Sequence, residues 1–252
     1  MLHRRLAASG PAVPGLAAVL VCLTLPMLDA CDPVGAPASD RPESALDFPA
    51  PDRPVAAVVS NQFSNEDARD ERNEAQVVMD LADIRPGMTI ADIGAGEGYY
   101  TVRLAERVGA DGRVLAQDIS REALDRLGRR VERERLENIS IKFGDTDNPQ
   151  LPPDSFDRIF MVHMYHEVTE PYAFLWNMWP ALGSGGQIVV VESDSPVGRH
   201  GLPHNVLFCE FEAVGYVLVE YIERPDIKGY FARFARGPKR TDPKAIRVCD
   251  AG

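Results

Sequence analysis

The chain alternates between short apolar runs and amphipathic stretches from residue 65 to residue 235. Seven apolar runs have the length and composition of strands, at residues 89–93, 113–117, 139–143, 156–162, 186–191, 216–222 and 229–235. Helical patterns lie between most of them, at residues 97–108, 120–133, 171–182 and 204–213. This alternation predicts a parallel sheet covered on both faces. The last two strands are too close for a crossover helix, so we expect them to pair as an antiparallel hairpin.

The segment before the first strand predicts one more helix, at residues 65–84. Its apolar positions share one face, Ser64 or Asn65 can cap its start, and Arg85-Pro86-Gly87 ends it. Several charged side chains form a second stripe, which is either a solvated face or part of a lid over an active site. The members of that stripe are Arg69, Asp70, Arg72 and Glu74.

Residues 31–60 differ in composition from the rest of the chain. They contain six prolines among alanine, serine and aspartate, which predicts a disordered, largely extended linker. The folded domain is therefore expected at residues 61–240, followed by a tail at 241–252. Nothing in the sequence sets the oligomeric state.

The first thirty residues have the pattern of a secretory signal peptide. Arg4 and Arg5 precede an uncharged stretch from residue 6 to residue 28. The following residues resemble a bacterial lipoprotein cleavage box, with Cys31 as the lipidated residue, although Asp29 is atypical there. Plain signal-peptide cleavage and an uncleaved anchor are the alternatives. Each predicts export to the periplasm or a membrane tether through Cys31, whereas a wrong start site would leave a cytoplasmic protein.

Composition limits the function classes. The 252 residues are 45% hydrophobic and 26% charged, which is ordinary for a globular protein with one domain after the leader. The net charge of −11 gives no basic footprint, so no nucleic-acid partner is expected. Outside the leader and Cys31, only Cys209 and Cys249 remain, without metal-ligand spacing; they are either free or joined in one bridge.

A glycine-rich turn follows the first predicted strand. Its spacing is Gly94-x-Gly96-x-Gly98, which is neither the dinucleotide fingerprint nor a phosphate loop. Asp118 ends the second strand 20 residues after Gly98, a position where a carboxylate can accept from both hydroxyls of a ribose. Asp145 follows the third strand at the same edge and suits an exocyclic adenine amine. These positions indicate a nucleoside site.

Four motifs together resemble the class I S-adenosylmethionine-dependent methyltransferases. They are residues 92–98, the strand end at Asp118, the pair Gly144-Asp145, and the apolar strand at 156–162. The order of elements is also similar over about residues 75–235. The resemblance implies an α/β three-layer sandwich around a mostly parallel seven-stranded sheet with an antiparallel C-terminal strand. It also implies S-adenosyl-L-methionine as the cofactor.

The resemblance assigns residues to both halves of that cofactor. Gly94, Ala95 and Gly96 would line the methionine half, and Asp92 would help to orient its amino group. A methionine half carries no pyrophosphate, which is consistent with the short glycine spacing.

The adenosine half would be held by residues after the second and third strands. Asp118 would bind the ribose, Ile119 would pack on the adenine, and Asp145 with the Thr146 backbone would contact the adenine edge. The simpler alternatives are that Asp118 only neighbours the helix cap at Ser120, and that Asp145 is a turn residue.

The segment after the fourth strand faces the transferred methyl group in the family that the chain resembles. Here it contains His163, Tyr165, His166 and Glu167, which we take as the catalytic candidates. A histidine with an orienting carboxylate can act as a general base near neutral pH. Alternatively, one histidine bonds the loop and the other is solvated. His163, Glu167 and either His200 or His204 offer ligand types but no metal-binding spacing, so no metal site is predicted.

The expected reaction is methyl transfer to a small-molecule acceptor. The Asn/Asp-Pro-Pro-aromatic signature of amino methyltransferases is absent after the fourth strand, which favours O- or C-methylation over amide or base N-methylation. Two other function classes stay open: an exported protein that binds the nucleoside without catalysis, and an NAD(P)-dependent oxidoreductase. The glycine spacing disfavours the latter.

Overall fold

A computed structural model describes residues 41–57 and 65–250. Its centre is one seven-stranded sheet with the order β3-β2-β1-β4-β5-β7-β6. The strands are β1 (Thr89–Ile93), β2 (Arg113–Asp118), β3 (Ile139–Phe143), β4 (Phe156–Val162), β5 (Leu182–Glu192), β6 (Tyr216–Arg224) and β7 (Gly229–Arg236). Strands β1 to β5 pair in parallel, and β7 pairs antiparallel with both β5 and β6. The mostly parallel sheet and the closing hairpin are confirmed.

The order of strands changes direction between β1 and β4. The chain builds outward from β1 through β2 to β3, and then returns to place β4 on the other side of β1. In open α/β sheets, ligands bind in the crevice outside the carboxyl ends of the strands at such a switch point. The ends of β1, β2 and β4 are therefore the first place to look for a site.

Helices cover both faces of the sheet. They are α1 (Glu66–Asp70), α2 (Glu74–Leu81), α3 (Tyr99–Val108), α4 (Arg121–Glu134), α5 (Pro171–Met178) and α6 (His204–Val214). One core cluster contains apolar side chains of α5 and α6, and a second contains those of α2 and α3. Along β4, Ile159 and Met161 enter the first cluster while Phe160 enters the second, because successive side chains of a strand point to opposite faces. The three-layer sandwich is thus confirmed.

The single helix expected at residues 65–84 is two helices. Asn65 caps α1 by accepting from the Asp67 N–H, but the helix ends after Asp70. Asn73 adopts a left-handed conformation with φ 52°, and α2 starts afresh at Glu74. Asparagine tolerates this conformation better than most residues, so the break is a local property of the sequence. It redirects the chain so that α2 packs in the core beside α3.

The disordered-linker prediction is wrong for residues 41–57. Ala45 and Phe48 are buried in the core cluster that contains α5 and α6. Arg41 forms a 2.6 Å ion pair with Glu170, and Arg53 forms one of 2.8 Å with Glu210. Proline keeps a chain extended, but it does not prevent that chain from packing along a surface that offers apolar and charged partners. This N-terminal strap, residues 41–57, is part of the fold.

The segment expected as a tail also packs against the fold. Cys249 forms a disulfide with Cys209 of α6, which selects the bridge over two free thiols. The Cys249 N–H donates to the Tyr172 hydroxyl at 2.8 Å, and the Trp176 indole N–H donates to the Thr241 carbonyl at 3.0 Å. The C-terminal segment is therefore fastened to α5 and α6 up to residue 250.

The predicted signal peptide, the lipidation at Cys31 and the first part of the linker lie outside the described residues. Within residues 41–57 and 65–250, no helix has both the length and the apolar character to cross a membrane.

Candidate active site

The glycine turn joins β1 to α3 at the switch point. Gly94, Gly96 and Gly98 all have positive φ, of 68°, 56° and 90°. A Cβ at Gly94 would lie 2.9 Å from the Met164 side chain, so a larger residue would fill the turn. The Ala95 N–H donates to the Gln117 carbonyl at 3.0 Å, which fixes the turn against the end of β2. The backbone is thus held open to a ligand.

Asp118 lies at the end of β2 and supports the turn from one side. One carboxylate oxygen accepts from the Gly96 N–H at 2.8 Å, and the other accepts from the Ser120 N–H at 2.8 Å. A carboxylate offers about four lone-pair positions, so these two bonds leave capacity for ribose hydroxyls. The residue therefore links the glycine turn to the start of α4, and its predicted ribose contact remains a prediction.

Asp92 is more deeply placed than a residue that contacts a ligand directly. It is 3% exposed, and it accepts a 2.6 Å hydrogen bond from the Thr101 hydroxyl of α3. Burial raises the pKa of Asp92 to about 6, although the bond from Thr101 opposes the rise. In the structure its carboxylate ties β1 to α3, while the expected contact with a methionine amino group stays a prediction.

The residues expected to hold adenine are accessible at the same edge. Ile119 is 37% exposed, and Asp145 and Thr146 are exposed after β3. The Gly144 N–H donates to the Asp118 carbonyl at 3.1 Å, which joins the ends of β2 and β3. The Asp145 carboxylate accepts from the Gln150 side chain. The structure therefore gathers the predicted adenosine residues on one side of the glycine turn.

His163 begins the segment after β4 and faces the N-terminal helices. Its backbone has φ 55°, and its Nε2 lies 3.4 Å from a carboxylate oxygen of Glu74 in α2. Burial raises the pKa of Glu74, but His163 and Arg69 outweigh this effect and bring it down to about 2. The charged stripe of the N-terminal helices is thus partly buried at the site, and the solvated-face interpretation does not apply to Glu74, which is 1% exposed.

His166 is the histidine with a carboxylate partner, but that partner is not Glu167. Its Nδ1 lies 2.9 Å and 3.1 Å from the two carboxylate oxygens of Glu192, at the end of β5. Glu192 is fully buried and also accepts from the Tyr165 N–H at 2.8 Å. Burial lowers the pKa of His166, but the hydrogen bond and the charge of Glu192 raise it more, so the net shift is upward. Glu167 lies on the opposite side, 3.9 Å from Nε2.

Tyr165 occupies a core position instead of the acceptor-facing position expected from the sequence. It is completely buried, and its hydroxyl donates to Glu210 at 2.8 Å. Burial and the charge of Glu210 raise its pKa well above the ordinary value. The Arg53 guanidinium lies 5.6 Å from the ring centroid. Tyr165 thus anchors the segment, while His166 and Glu167 remain the residues placed for chemistry.

Three site residues were missed by the sequence analysis. Glu192 orients His166, Glu74 receives His163, and His200 lies beside His166 with a ring-centroid separation of 5.8 Å. An acid that ends an uninterrupted apolar strand was the available signal for Glu192. No local pattern marks His200, because it follows the neighbouring strand β5 and reaches His166 only through the parallel pairing.

The sequence of the core segment is similar to known methyltransferases. A model of the methyltransferase domain family matches residues 90–186. A ubiquinone/menaquinone biosynthesis C-methyltransferase of Idiomarina loihiensis is 32% identical over 121 residues, which are 47% of this chain and 48% of that protein. A protein-L-isoaspartate O-methyltransferase of Methanothrix thermoacetophila is 30% identical over 124 residues, 49% and 54% of the two chains. The chain spans about half the length of these curated relatives.

Solved structures share the fold at lower identity. A SAM-dependent methyltransferase from Aquifex aeolicus has a TM-score of 0.60 and 22% identity, and the alignment covers 66% of this chain and 90% of that one. The [4+2]-cyclase SpnF has a TM-score of 0.57 and 15% identity over 77% and 91% of the two chains. The second neighbour illustrates that this fold alone does not set the reaction. Together with the family match and the strand order, these findings assign residues 90–186 to a class I methyltransferase domain of the S-adenosyl-L-methionine-dependent type.

Proposed function

We propose that this protein transfers a methyl group from S-adenosyl-L-methionine to an oxygen or carbon atom of a small-molecule acceptor. The observation that carries the proposal is Asp118, whose carboxylate closes the glycine turn through Gly96 and stands at the switch point of the sheet. A carboxylate held there is ready to accept from a ribose before any ligand arrives.

The other residues at this edge fit the remaining parts of the cofactor. The positive-φ turn at Gly94 keeps space that a Cβ would fill, next to Met164. Ile119 presents an exposed apolar surface for an adenine face, and Asp145 presents an exposed carboxylate for its amine. The set therefore provides an acceptor for the ribose hydroxyls, a stacking surface for the base and an open backbone for the amino-acid end.

When bound, S-adenosyl-L-methionine supplies an electrophilic methyl group on a sulfonium sulfur. An oxygen or carbon acceptor must lose a proton as its new bond forms, and we assign the activation of that proton to His166. With Nδ1–H donated to Glu192, the lone pair of Nε2 faces Glu167, away from the core. Glu192 fixes the ring and increases its basicity. The chain itself thus orients the acceptor and handles the proton.

Two observations support an oxygen or carbon acceptor. The segment after β4 has His163-Met164-Tyr165-His166 where amino methyltransferases carry their Asn/Asp-Pro-Pro-aromatic signature. In addition, the relatives described above are named as a C-methyltransferase and an O-methyltransferase. A histidine that accepts a proton suits these acceptors, since an amide nitrogen is a much weaker nucleophile.

We further propose that the protein works after export. The basic start and apolar run of residues 1–30 support it, and so does the Cys209–Cys249 disulfide, because disulfides persist mainly in oxidising compartments. The test is a reporter fused after Cys31 of the chain. Activity of a periplasm-dependent reporter supports export, and activity of only a cytosol-dependent reporter refutes it.

The cofactor is tested by titration calorimetry of the full chain with S-adenosyl-L-methionine and, separately, with NADH. Binding of the former alone is expected. Asp118→Asn should weaken it at least tenfold, because charge-assisted hydrogen bonds contribute roughly 1.5–3 kcal/mol each. Asp125→Asn, which makes the same change on the exposed side of α4, should leave the affinity unchanged. Natively folded protein that fails to bind S-adenosyl-L-methionine would refute the proposal.

Catalysis is tested by the appearance of S-adenosylhomocysteine with a panel of phenolic, enolic and carboxylate acceptors. Product that forms with an oxygen or carbon nucleophile and disappears in His166→Ala supports the proposed reaction. Binding of the cofactor without any product across the panel would favour the non-catalytic binding protein.

A further inference from the structure

The structure assigns a divalent-cation site, with the ligand chemistry of zinc, to His166, Glu167 and His200. One ligand atom from each of these side chains lies within 4.8 Å of the other two. Two imidazoles and one carboxylate are a common ligand set of zinc sites that keep an open coordination position. The site itself is independent of methyl transfer; only its use in activating an acceptor depends on the proposed function.

The three side chains come from two segments that the sheet places side by side. His166 and Glu167 belong to the short turn Tyr165–Glu167 after β4, and His200 follows the turn Val197–Arg199 after β5. Because β4 and β5 pair in parallel, both segments leave the same edge of the sheet. His200 has a left-handed backbone with φ 54°, and its N–H donates to the Val197 carbonyl at 2.9 Å. The position of its ring is thus set by the backbone and not by a long flexible loop.

Glu192 supplies the outer partner that metal-bound histidines usually have. It accepts from Nδ1 of His166 at 2.9 Å and leaves Nε2 as the nitrogen with the lone pair. Nε2 lies 3.9 Å from the Glu167 carboxylate, on the side where His200 stands. A carboxylate, a histidine and a second ligand pair in this order reproduce the carboxylate–histidine–zinc arrangement, and Glu192 is itself fully buried.

The size and access of the cluster suit an ion. Ligand atoms around a tetrahedral zinc at about 2.1 Å stand roughly 3.4 Å apart. The present separations of 3.9 to 4.8 Å therefore require each side chain to approach by about 1 Å or less on binding. His166 is buried, Glu167 is intermediate and His200 is exposed, so an ion has a path from solvent to the buried ligand.

A cation at this place changes how His166 works. Its Nε2 lone pair would bind the metal, and the metal would lower the pKa of an acceptor hydroxyl that takes the open position. The acceptor would then lose its proton to solvent before the methyl group is transferred. Acceptors with an ionisable oxygen, such as phenols and enols, match this chemistry better than simple hydrocarbons.

The test uses the full chain without an affinity tag, dialysed against chelator, and zinc ions as the probe. Calorimetry or competition with a chromogenic chelator should show one zinc per chain. Glu192→Gln should weaken binding roughly 10–100-fold, as outer partners of metal ligands do, and His200→Ala should weaken it at least as much. His204→Ala is the matched control, because His204 also pairs with a carboxylate, Asp194, at 3.1 Å and lies outside the cluster.

Cobalt(II) gives a second readout, since ligation by nitrogen and oxygen in a four-coordinate site produces visible absorption bands. These bands should appear with the wild-type chain and be lost in His200→Ala. No zinc binding, or binding that His200→Ala and His204→Ala affect equally, would overturn the site. Calorimetry with S-adenosyl-L-methionine on the same metal-free protein separates the two proposals, because it reports the cofactor pocket without the cation.

Discussion

The ion pair between Arg53 and Glu210 gives the sharpest stability prediction. Both side chains are 1% exposed, the Nε–Oε1 distance is 2.8 Å, and the Tyr165 hydroxyl donates to the second oxygen of Glu210 at 2.8 Å. Glu210→Gln keeps hydrogen-bond acceptors near both partners but leaves the Arg53 charge buried without compensation. Breaking a buried pair in this way costs about 3–5 kcal/mol. For a domain of this size the melting temperature should fall by roughly 6–20 °C.

The assay is equilibrium urea unfolding followed by tryptophan fluorescence. Trp176 packs against Phe48 of the N-terminal strap with ring centroids 5.6 Å apart, so its emission reports on this region. Asp83→Asn is the matched control, because the Arg85–Asp83 pair is 68% and 49% exposed and should contribute under about 1 kcal/mol. A loss for Glu210→Gln that does not exceed that of the control would refute the reasoning.

A rescue experiment separates the charge from the lost contacts. Replacing both Arg53 and Glu210 by methionine removes the buried charges, but it leaves the buried Tyr165 hydroxyl without its acceptor, at a cost of about 1–3 kcal/mol. Adding Tyr165→Phe should therefore recover most of the remaining loss. If the double variant is as unstable as Glu210→Gln, the uncompensated charge is not the cause.

Three further predictions follow from the buried acid, the disulfide and the glycine turn. Because the folded-state pKa of Asp92 is about 6 against 3.8 unfolded, wild-type stability should rise as the pH falls from about 7 to 4; Asp92→Asn should be more stable by up to about 3 kcal/mol at pH 8, and a constant difference between pH 4 and pH 8 in urea unfolding would contradict this. Replacing both Cys209 and Cys249 by alanine opens a loop with a sequence separation of 40 and should cost about 4 kcal/mol in the same assay, whereas a loss under 1 kcal/mol would contradict the bridge. Gly98→Ala places a Cβ at φ 90° against the Leu127 side chain and should lower stability by at least about 1 kcal/mol; an unchanged midpoint would contradict the described turn.

The sheet was predictable because its signal is local. Each strand is an apolar run with its own boundaries, and the glycine turn and Asp118 follow strands β1 and β2 directly in the chain. The parallel order then brings their ends to one edge without further information. The same reasoning placed Asp145 on that edge, and the structure has it there, exposed.

The parts that sequence did not predict depend on contacts between distant segments. Glu192 and His166 are 26 residues apart, and Arg53 and Glu210 are 157 apart. Proline content indicated an extended strap correctly, but only the fold shows that a hydrophobic groove and Glu210 await it. The burial of Tyr165 has the same origin, since its partner lies in α6.

Residues 41–57 and the C-terminal segment are fastened to the same pair of helices, α5 and α6, on the side of the sheet away from α2 and α3. Any pull on the chain at Arg41 is therefore resisted first by the Arg41–Glu170 and Arg53–Glu210 pairs. The load passes into α5 and α6 and reaches the glycine turn only after those contacts fail. In mechanical terms, the strap is a strain relief that isolates the catalytic edge from whatever the N-terminus is attached to.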